Sequence, residues 1–348
     1  MSKLSWLLAA VPVAVAAEWL HAPALAVFAL SALAILPLSA LLGRATEELS
    51  ARTGPTIGGL LNATLGNLAE LIIAAFALRA GLIDLVKASI TGSILGNLLL
   101  VLGAAQLVGG LRYQTQVFNR QLATVNVPLL AIAATGLVLP ALFHATHPDP
   151  ARVATVRMSE FVAIFLVLGY GLSLVYSIWT HRAVVGALTE GQGAPATWST
   201  RRSLLLLLGS GATIAVMSEM LVGATEKATQ AMGLSQFFVG IILIPIIGNA
   251  AEHSSAVLMA YKNRMDLVVN IALGSSVQVA LLVAPLLVFL GLAIGQPMDL
   301  AFTTFEVAAV VLAVWIASSI VFDGESNWLE GAYLLVVYGM LAVAFYFF

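Results

Sequence analysis

Long apolar runs separated by short polar turns are the dominant pattern of this sequence. A helix that crosses a bilayer needs about 20 mostly apolar residues, and runs of that length can be marked off by charges and by Gly and Pro clusters. The eleven runs cover residues 4–20, 22–42, 54–78, 85–108, 122–143, 158–180, 203–223, 236–260, 267–294, 302–320 and 328–348. The pattern predicts an all-α integral membrane protein in which each run is a transmembrane helix.

The first run, residues 4–20, has a second interpretation, because Lys3 and the small residues Ala14–Ala17 also fit a signal peptide. A membrane helix is favoured because the next apolar run begins at Ala22, with no polar segment between the two. We therefore expect residues 1–21 to form a leading transmembrane helix.

Composition agrees with a membrane protein and excludes several functions. Hydrophobic residues make up 61% of the 348 positions and charged residues only 9%, which leaves too little polar surface for a soluble domain. The net charge of −2 gives no basic excess for nucleic acid, so the expected partner is the lipid bilayer. Because the chain has no cysteine, any metal site must use oxygen or imidazole ligands.

The distribution of basic residues predicts the orientation in the membrane. If the amino terminus lies inside the cell, ten of the 15 Lys and Arg residues face the cytoplasm and five face the other side. Cytoplasmic loops carry the excess of basic residues in membrane proteins. The sequence therefore predicts a multi-pass protein of the cell membrane with a cytoplasmic amino terminus and an external carboxyl terminus.

A repeat is visible in the chain. GNLAE at residues 66–70 returns as GNAAE at residues 248–252, a displacement of 182 positions. The same displacement places Asp84–Val86 on Asp266–Val268, and Gly92–Ser93 on Gly274–Ser275. Three matches in one register indicate an internal duplication.

Each copy would contain five of the predicted helices. Five is an odd number, so the second copy enters the membrane from the opposite side, and inverted repeats of this kind are typical of secondary transporters. The predicted organisation is a leading helix at residues 1–21, a first repeat at 22–180, a cytoplasmic linker at 181–202 and a second repeat at 203–348.

Each repeat motif places one acid deep in the membrane. Glu70 and Glu252 each lie eight residues before the end of their apolar run, which is about 12 Å of helix. An unpaired ionised carboxylate at such depth costs about 2.5 to 3.5 kcal/mol. Because the repeats are inverted, the two acids approach the midplane from opposite sides, and we expect them to hold either a divalent cation or protons.

Polar residues near the two acids are candidate ligands for a hard cation such as Ca²⁺, which takes about six to eight oxygens. Asn67 and Asn249 share a helical face with the acids that follow them. On the neighbouring runs the spacing also allows polar pairs to face inward together, and these pairs are Ser93 with Asn97 and Ser275 with Gln278.

Helix breaks could supply further oxygens from the backbone. Pro245 lacks an N–H group and Gly248 loosens the next turn, so we expect the helix to break just before Glu252. In the first copy Gly58, Gly59 and Gly66 take this role.

The two motifs, GNLAELIIA and GNAAEHSSAVLMAYKNRMDLVVNIALGSSVQVALLVAP, resemble the signature repeats of the calcium/proton exchanger (CAX) family, within the cation/calcium exchanger superfamily. The resemblance implies a transporter and not an enzyme, with Ca²⁺ and protons as transported substrates and no cofactor. It also implies that Glu70 and Glu252 bind Ca²⁺ and protons in turn. Asn97, Ser275 and Gln278 would line the site, and the second and seventh helices would shift to gate it.

Two further residues have assignments that stay open. The position of His253 beside Glu252 suggests a group that supports the ligands or lines the pore, since a hard ion prefers oxygen. The resemblance makes Glu219 a candidate proton-path or entrance acid, whereas its place near the end of a predicted helix also fits a solvated interface. The linker contains a single acid, Glu190, where fungal and plant relatives have an acidic helix, so the chain resembles a prokaryotic version.

Several alternatives remain at this stage. Another cation antiporter of the same superfamily, for Mn²⁺/H⁺ or Na⁺/Ca²⁺, fits the same motifs, although Gly-Asn before the acid argues against sodium coupling. A passive cation channel also uses acidic residues. The acids could instead be permanently protonated packing contacts, and the Asn, Ser and Gln side chains could simply join helices. A homo-oligomer is compatible with the sequence.

Overall fold

The structure is a computed structural model that describes residues 3–147, 151–181 and 196–348. Within these residues nine helices are long and apolar enough to cross a membrane. Two shorter apolar helices, Trp6–Trp19 and Thr304–Ile320, accompany them. The predicted all-α, multi-pass architecture is therefore confirmed. Residues 182–195, which form most of the predicted linker and include Glu190, lie outside the described residues.

The helices and strands follow one another in a simple order. A 3-10 helix, Lys3–Ala9, precedes the first α-helix. The α-helices are α1 (Ala10–Trp19), α2 (Ala24–Leu65), α3 (Leu68–Arg79), α4 (Ile83–Leu95), α5 (Leu102–Gly110), α6 (Arg120–Thr146), α7 (Val153–Val175), α8 (Thr200–Met232), α9 (Ile244–Tyr261), α10 (Met265–Gln278), α11 (Ala284–Ala293), α12 (Thr304–Ile320) and α13 (Trp328–Phe347). A short helical turn, Gln236–Phe238, leads towards α9, and two-residue strands, β1 (Gln116–Val117) and β2 (Glu325–Ser326), pair antiparallel.

Helix α2 contains a sharp reversal. It contributes to two candidate membrane spans, one that ends at Thr53 and one that begins at Ile57, and the backbone of Gly58 lies directly against the carbonyl of Ser50. Eight residues of straight helix would separate these two positions by about 12 Å, so the chain must fold back between them. A side chain at position 58 would collide with the Ser50 backbone, which explains the glycine.

Wider π-helical turns interrupt three of the long spans, and a fourth π segment, Tyr176–Thr180, follows α7 at the end of its span. Segments Gly96–Val101 and Val279–Val283 lie after α4 and after α10, at nearly equivalent positions of the two repeats. A third, Val239–Leu243, leads into α9. A π-helical turn accommodates a local mismatch in the backbone hydrogen-bond pattern, and such turns are frequent at functional sites.

The break expected just before Glu252 is wrong. Helix α9 runs without interruption from Ile244 to Tyr261. The irregularity lies earlier, in the π segment Val239–Leu243, because the wider turns adapt the helix to the N–H group missing at Pro245. In the first copy the break is present, since turn residues Gly66 and Asn67 separate α2 from α3.

The described residues form two compact units. The first contains the described parts of residues 1–89 and 191–252 together with Phe348, and in it α8 packs along α2 and α3. The second contains the described parts of residues 90–190 and residues 253–347, and in it α6 packs against α7, α10 and α12 while α5 packs against α13. Both units draw on both predicted repeats, so the division into repeats at 22–180 and 203–348 remains a prediction.

In the first unit the end of the predicted linker is fastened to α2. The Glu48 carboxylate accepts hydrogen bonds from the backbone N–H groups of Thr197 and Trp198, at 2.7 and 2.8 Å. The guanidinium groups of Arg44 and Arg202 lie 4.5 and 4.7 Å from the centre of the buried Trp198 ring. These contacts fix where α8 begins relative to α2.

In the second unit, loops that the sequence assigns to the cytoplasmic side meet at one end. Strand β1 pairs with β2, which brings residues 111–119 and 321–327 together. The Gln116 side chain donates to the Ala260 carbonyl at 2.9 Å and to Asn263 Oδ1 at 2.8 Å, which adds the loop between α9 and α10. Three loops of the predicted inner side are therefore neighbours.

Loops assigned to the outer side also meet within this unit. Arg152 forms an ion pair with the buried Asp299 at 2.9 Å, and the backbone N–H of Leu300 donates to Ser159 Oγ at 2.8 Å. The segment before α7 and the segment before α12 are thus joined, as a membrane topology with both on one side requires.

Candidate cation site

Glu70 lies in the first turn of α3, immediately after the helix break. Asn67 occupies the N-cap position of this helix, and its side chain is buried, with 4% of its surface exposed. The positive end of the helix dipole at an amino terminus favours a negative charge there. The break between α2 and α3 therefore creates a suitable environment for the Glu70 carboxylate.

The second motif meets this acid within the same unit. The side-chain amide of Asn249 on α9 donates a hydrogen bond to Glu70 Oε1. Asn249 is 3% exposed, so the bond lies in the interior of the unit. Two residues that are 179 positions apart in the sequence, one from each motif, thus contact each other directly.

Gly248 makes this contact sterically feasible. A Cβ atom at position 248 would lie 3.2 Å from Glu70 Cγ and 3.7 Å from Ile73 Cδ1. The Glu70 side chain therefore packs over the glycine, and any larger residue would displace the carboxylate. The Gly-Asn pair of the motif acts as one element, in which the glycine provides space and the asparagine donates the hydrogen bond.

Glu252 follows Asn249 by three residues in the continuous helix α9, which is about 4.5 Å along the helix axis. Its side chain is half-buried, as is that of Glu70. Asn249, which contacts Glu70, and Glu252 therefore lie in the same turn of α9. The structure brings the first acid to the part of α9 that carries the second.

The predicted lining residues lie in the second unit. Ser93 is on α4, and Asn97 is the second residue of the π segment Gly96–Val101. Ser275 is on α10 and Gln278 is its last residue, directly before the next π segment. Helix α10 packs on the segment Gly96–Val101, so the elements that carry these residues are neighbours.

Asn97 has the most distinctive environment of this group. Its side chain is completely buried, and neither atom of its amide has a hydrogen-bond partner among the described residues. An unsatisfied buried amide is costly and often indicates a ligand or water that completes the site. The side-chain carbonyl oxygen of Asn97 is a suitable ligand for a hard cation.

His253 and Glu219 differ in exposure. The Nε2 atom of His253 is buried and has no hydrogen-bond partner among the described residues. Glu219 lies thirteen residues before the end of α8 at Met232, and its side chain is exposed. Its predicted place near the end of a helix is wrong, because α8 continues well past the apolar run that was used to mark the end.

The structure shows a buried acid outside the two motifs. Glu306 lies in the first turn of α12, is only 2% exposed and accepts a hydrogen bond from Thr91. The TTFE stretch at residues 303–306 contains the Thr-x-x-Glu pattern of a capping box, which could have identified this glutamate as structured.

Within the described residues there is no group of three or more His, Cys, Asp or Glu side chains that could hold a metal ion. A cation bound here would therefore depend on two acids and on amide, hydroxyl or backbone oxygens.

Comparison with known proteins supports one family. A family profile described as "Sodium/calcium exchanger protein" matches residues 23–179 and again residues 202–347. The "Ca(2+)/H(+) antiporter" of Aphanothece halophytica is 46% identical over 355 residues, which cover 98% of this chain and 95% of that protein. The "Ca(2+)/H(+) antiporter ChaA" of Bacillus subtilis (strain 168) is 41% identical, with 99% of both chains covered.

Solved structures agree in fold. The structure described as native YfkE has a TM-score of 0.86 and 39% sequence identity, over 99% of this chain and 100% of that chain. A family profile that spans most of the chain, and relatives above 40% identity over nearly its full length, lead to one conclusion. The chain belongs to the sodium/calcium exchanger protein family.

Proposed function

We propose that this protein is a secondary Ca²⁺/H⁺ antiporter that exports Ca²⁺ from the cell in exchange for protons. The observation that carries the proposal is the contact between the two motifs, in which Asn249 binds Glu70 one helical turn before Glu252. The names of the most similar relatives, which are Ca²⁺/H⁺ antiporters, support the choice of substrates. The proposed location is the cell membrane, with the amino terminus in the cytoplasm and the carboxyl terminus outside.

In the proposed mechanism Glu70 and Glu252 bind either one Ca²⁺ or protons. A carboxylate that stays ionised and unpaired in the membrane interior costs about 2.5 to 3.5 kcal/mol, so the empty, doubly ionised site is disfavoured. The protein therefore changes between its inward-facing and outward-facing states only when the site holds Ca²⁺ or protons. This rule couples the two fluxes and prevents leakage.

The polar groups contribute in two ways. Asn249 orients Glu70, and the repeat suggests that Asn67 orients Glu252 in the same manner. Ser93, Asn97, Ser275 and Gln278 provide further oxygens, and the unsatisfied amide of the buried Asn97 supports this role. His253 lines the pathway beside the acids. Alternating access arises from movement of α2 and α8, which pack along each other.

Transport in everted membrane vesicles tests the proposal. Vesicles with an acidic interior should take up radioactive Ca²⁺, and an ionophore that collapses the pH gradient should stop uptake against a Ca²⁺ gradient. Calcium flux that is unaffected by the ionophore and does not saturate would favour a passive channel. Competition by Mn²⁺, or dependence on Na⁺, would identify the other antiporters.

Replacement of the acids gives a sharper prediction. Glu70→Gln and Glu252→Gln should each abolish exchange while the protein still folds, because an amide has the shape of a protonated acid but cannot release a proton. Glu18→Gln, at the exposed end of α1, is the matched control and should transport normally. Retained proton-coupled uptake in both site variants would contradict the mechanism.

A further inference from the structure

Glu306 is a buried acid that the proposed exchange does not use. It lies in the first turn of α12 and is 2% exposed. Its Oε2 atom accepts hydrogen bonds from the backbone N–H and the hydroxyl of Thr303, both at 2.9 Å. The Glu306 N–H in turn donates to Thr303 Oγ1 at 3.2 Å, which completes a capping box with the bond from the Thr303 N–H. The capping box explains part of the carboxylate's environment but leaves the other oxygen for a different contact.

That other oxygen connects α12 to α4. Glu306 Oε1 accepts a hydrogen bond from the hydroxyl of Thr91 at 3.1 Å, and Thr91 is completely buried. Helix α12 also packs against the π segment Gly96–Val101 that follows α4. One helix thus holds this membrane span at two neighbouring places.

Thr91 is close in sequence to two predicted lining residues, because it precedes Ser93 by two positions and Asn97 by six. Successive residues of an α-helix are rotated by about 100°, so Thr91 and Ser93 point to nearly opposite sides of α4. The bond to Glu306 therefore holds the side of the helix that faces away from Ser93.

Rotation of α4 is the property that such a bond controls. Beyond Leu95 the span enters the wider π turns, where the backbone leaves the regular α-helical hydrogen-bond pattern. The direction of the Asn97 amide then depends on how firmly the preceding helix is held. A buried hydrogen bond to a carboxyl oxygen restrains both partners, because breaking it leaves a buried polar group unsatisfied.

We propose that Glu306 is a positioning residue, which fixes the rotation of α4 through Thr91 and thereby sets the Ca²⁺ affinity of the site lined by Ser93 and Asn97. This inference rests on the proposed function. It assigns Glu306 no contact with the cation and no part in proton transfer, so its loss changes affinity without uncoupling the exchange.

The test compares Thr91→Val with Thr91→Ser in the full-length protein. Equilibrium binding of radioactive Ca²⁺ to the purified protein and the KM for Ca²⁺ in vesicles are measured together with the melting temperature. Valine preserves the shape but removes the hydroxyl, and we expect about tenfold weaker binding and a higher KM, as is typical when a group that orients a ligand is lost. Serine keeps the hydroxyl and should restore both values.

Thr135→Val is the matched control, since the Thr135 hydroxyl donates only within its own helix, to the Ala131 carbonyl at 2.8 Å. It should bind Ca²⁺ like the wild type. Glu306→Ala, which removes the acceptor of the Thr91 hydroxyl, should also weaken binding, and adding Thr91→Val to it should cause little further loss because both changes break one contact. A purely structural contact would lower the melting temperature and leave the affinity of the folded protein unchanged.

The inference would be overturned if folded Thr91→Val bound Ca²⁺ with unchanged affinity, or if the effects of the two substitutions were fully additive. Either result would leave the proposed function standing, provided that the wild type still showed proton-coupled uptake. Absence of coupled uptake by the wild type would overturn the proposed function. The binding measurements would then decide the positioning role by themselves, since they need no proton gradient.

Discussion

At the scale of single residues, Gly248 shows why the second motif begins with a glycine. The position is helical and needs no unusual backbone angle, yet a methyl group there would lie 3.2 Å from Glu70 Cγ. The requirement for glycine therefore comes from a residue of the other motif and not from the local backbone.

Gly248→Ala should weaken Ca²⁺ affinity about tenfold, because the Glu70 carboxylate must move away from the added methyl group. The KM for Ca²⁺ in vesicles and the melting temperature measure the effect. Gly223→Ala is the matched control, since an added methyl group there has no atom of the described residues within 4 Å. It should stabilise α8 by about 0.5 to 1 kcal/mol and leave transport unchanged. Equal KM values for Gly248→Ala and the wild type would show that Glu70 is not held as described.

The residues of the site differ in how far sequence could identify them. Glu70 and Glu252 were identifiable because an ionised side chain within an apolar run has a high free-energy cost in the membrane. This reasoning needs no knowledge of which residues surround the acid in the folded protein. The role of Gly248 was not identifiable, because it depends on a side chain 178 positions earlier in the chain. The burial of Glu306 was not predictable for the same reason, since it results from the packing of α12 against α6 and against the segment Gly96–Val101.

At the scale of helices, α5 and α13 pack so closely that glycine is required at their contact. A Cβ atom at Gly331 would lie 2.6 Å from the Gly103 carbonyl oxygen and 2.9 Å from the Gln106 carbonyl carbon. These are backbone atoms, which cannot move aside as a flexible side chain can. Close approach of this kind is the usual way in which membrane helices gain packing energy.

Gly331→Ala should destabilise the protein by about 1 to 3 kcal/mol, the typical cost of overpacking. Thermal unfolding in detergent measures the change. Gly339→Ala lies in the same helix with no described atom within 4 Å of the added methyl group, so it should unfold at or above the wild-type temperature. Identical destabilisation by both substitutions would point to the helix itself and not to its contact with α5.

Helix positions followed from the apolar runs, but helix ends and irregularities did not. Hydropathy indicates which part of a segment lies in the hydrocarbon region of the membrane. A helix can continue beyond that region, because its backbone hydrogen bonds do not depend on the surrounding lipid. Helix α8 therefore extends to Met232, past the run that ended at residue 223, and Glu219 falls in its interior. The π segments depend on a local change of hydrogen-bond partner that no hydrophobic pattern reveals.

At the scale of the whole molecule, the clustering of loops in the second unit agrees with the predicted number of membrane crossings between them. Loops assigned to the cytoplasm meet around β1 and β2, and loops assigned to the outside meet at the Arg152–Asp299 ion pair. A wrong count of membrane crossings would have placed loops of opposite sides in contact. The orientation predicted from the basic residues stays a prediction, because these contacts would be the same in either orientation.

Single cysteines test the orientation directly, because the natural chain contains none. Lys262→Cys and Ala151→Cys introduce thiols at exposed positions of the predicted inner and outer sides. An impermeant maleimide should label position 151 in intact cells, and position 262 only after the membrane is opened. The reverse pattern would invert the proposed orientation, and labelling of both positions in intact cells would contradict the crossing count.

The hydrogen bond from Asn249 to Glu70 also bears on how such a gene can change. Duplication supplies two similar halves. Once an amide of the second half binds an acid of the first half, a substitution at either position affects the function of the other. Fragments made by cutting the gene at the linker would each insert as a set of helices, and only their reunion in one membrane would restore the bond.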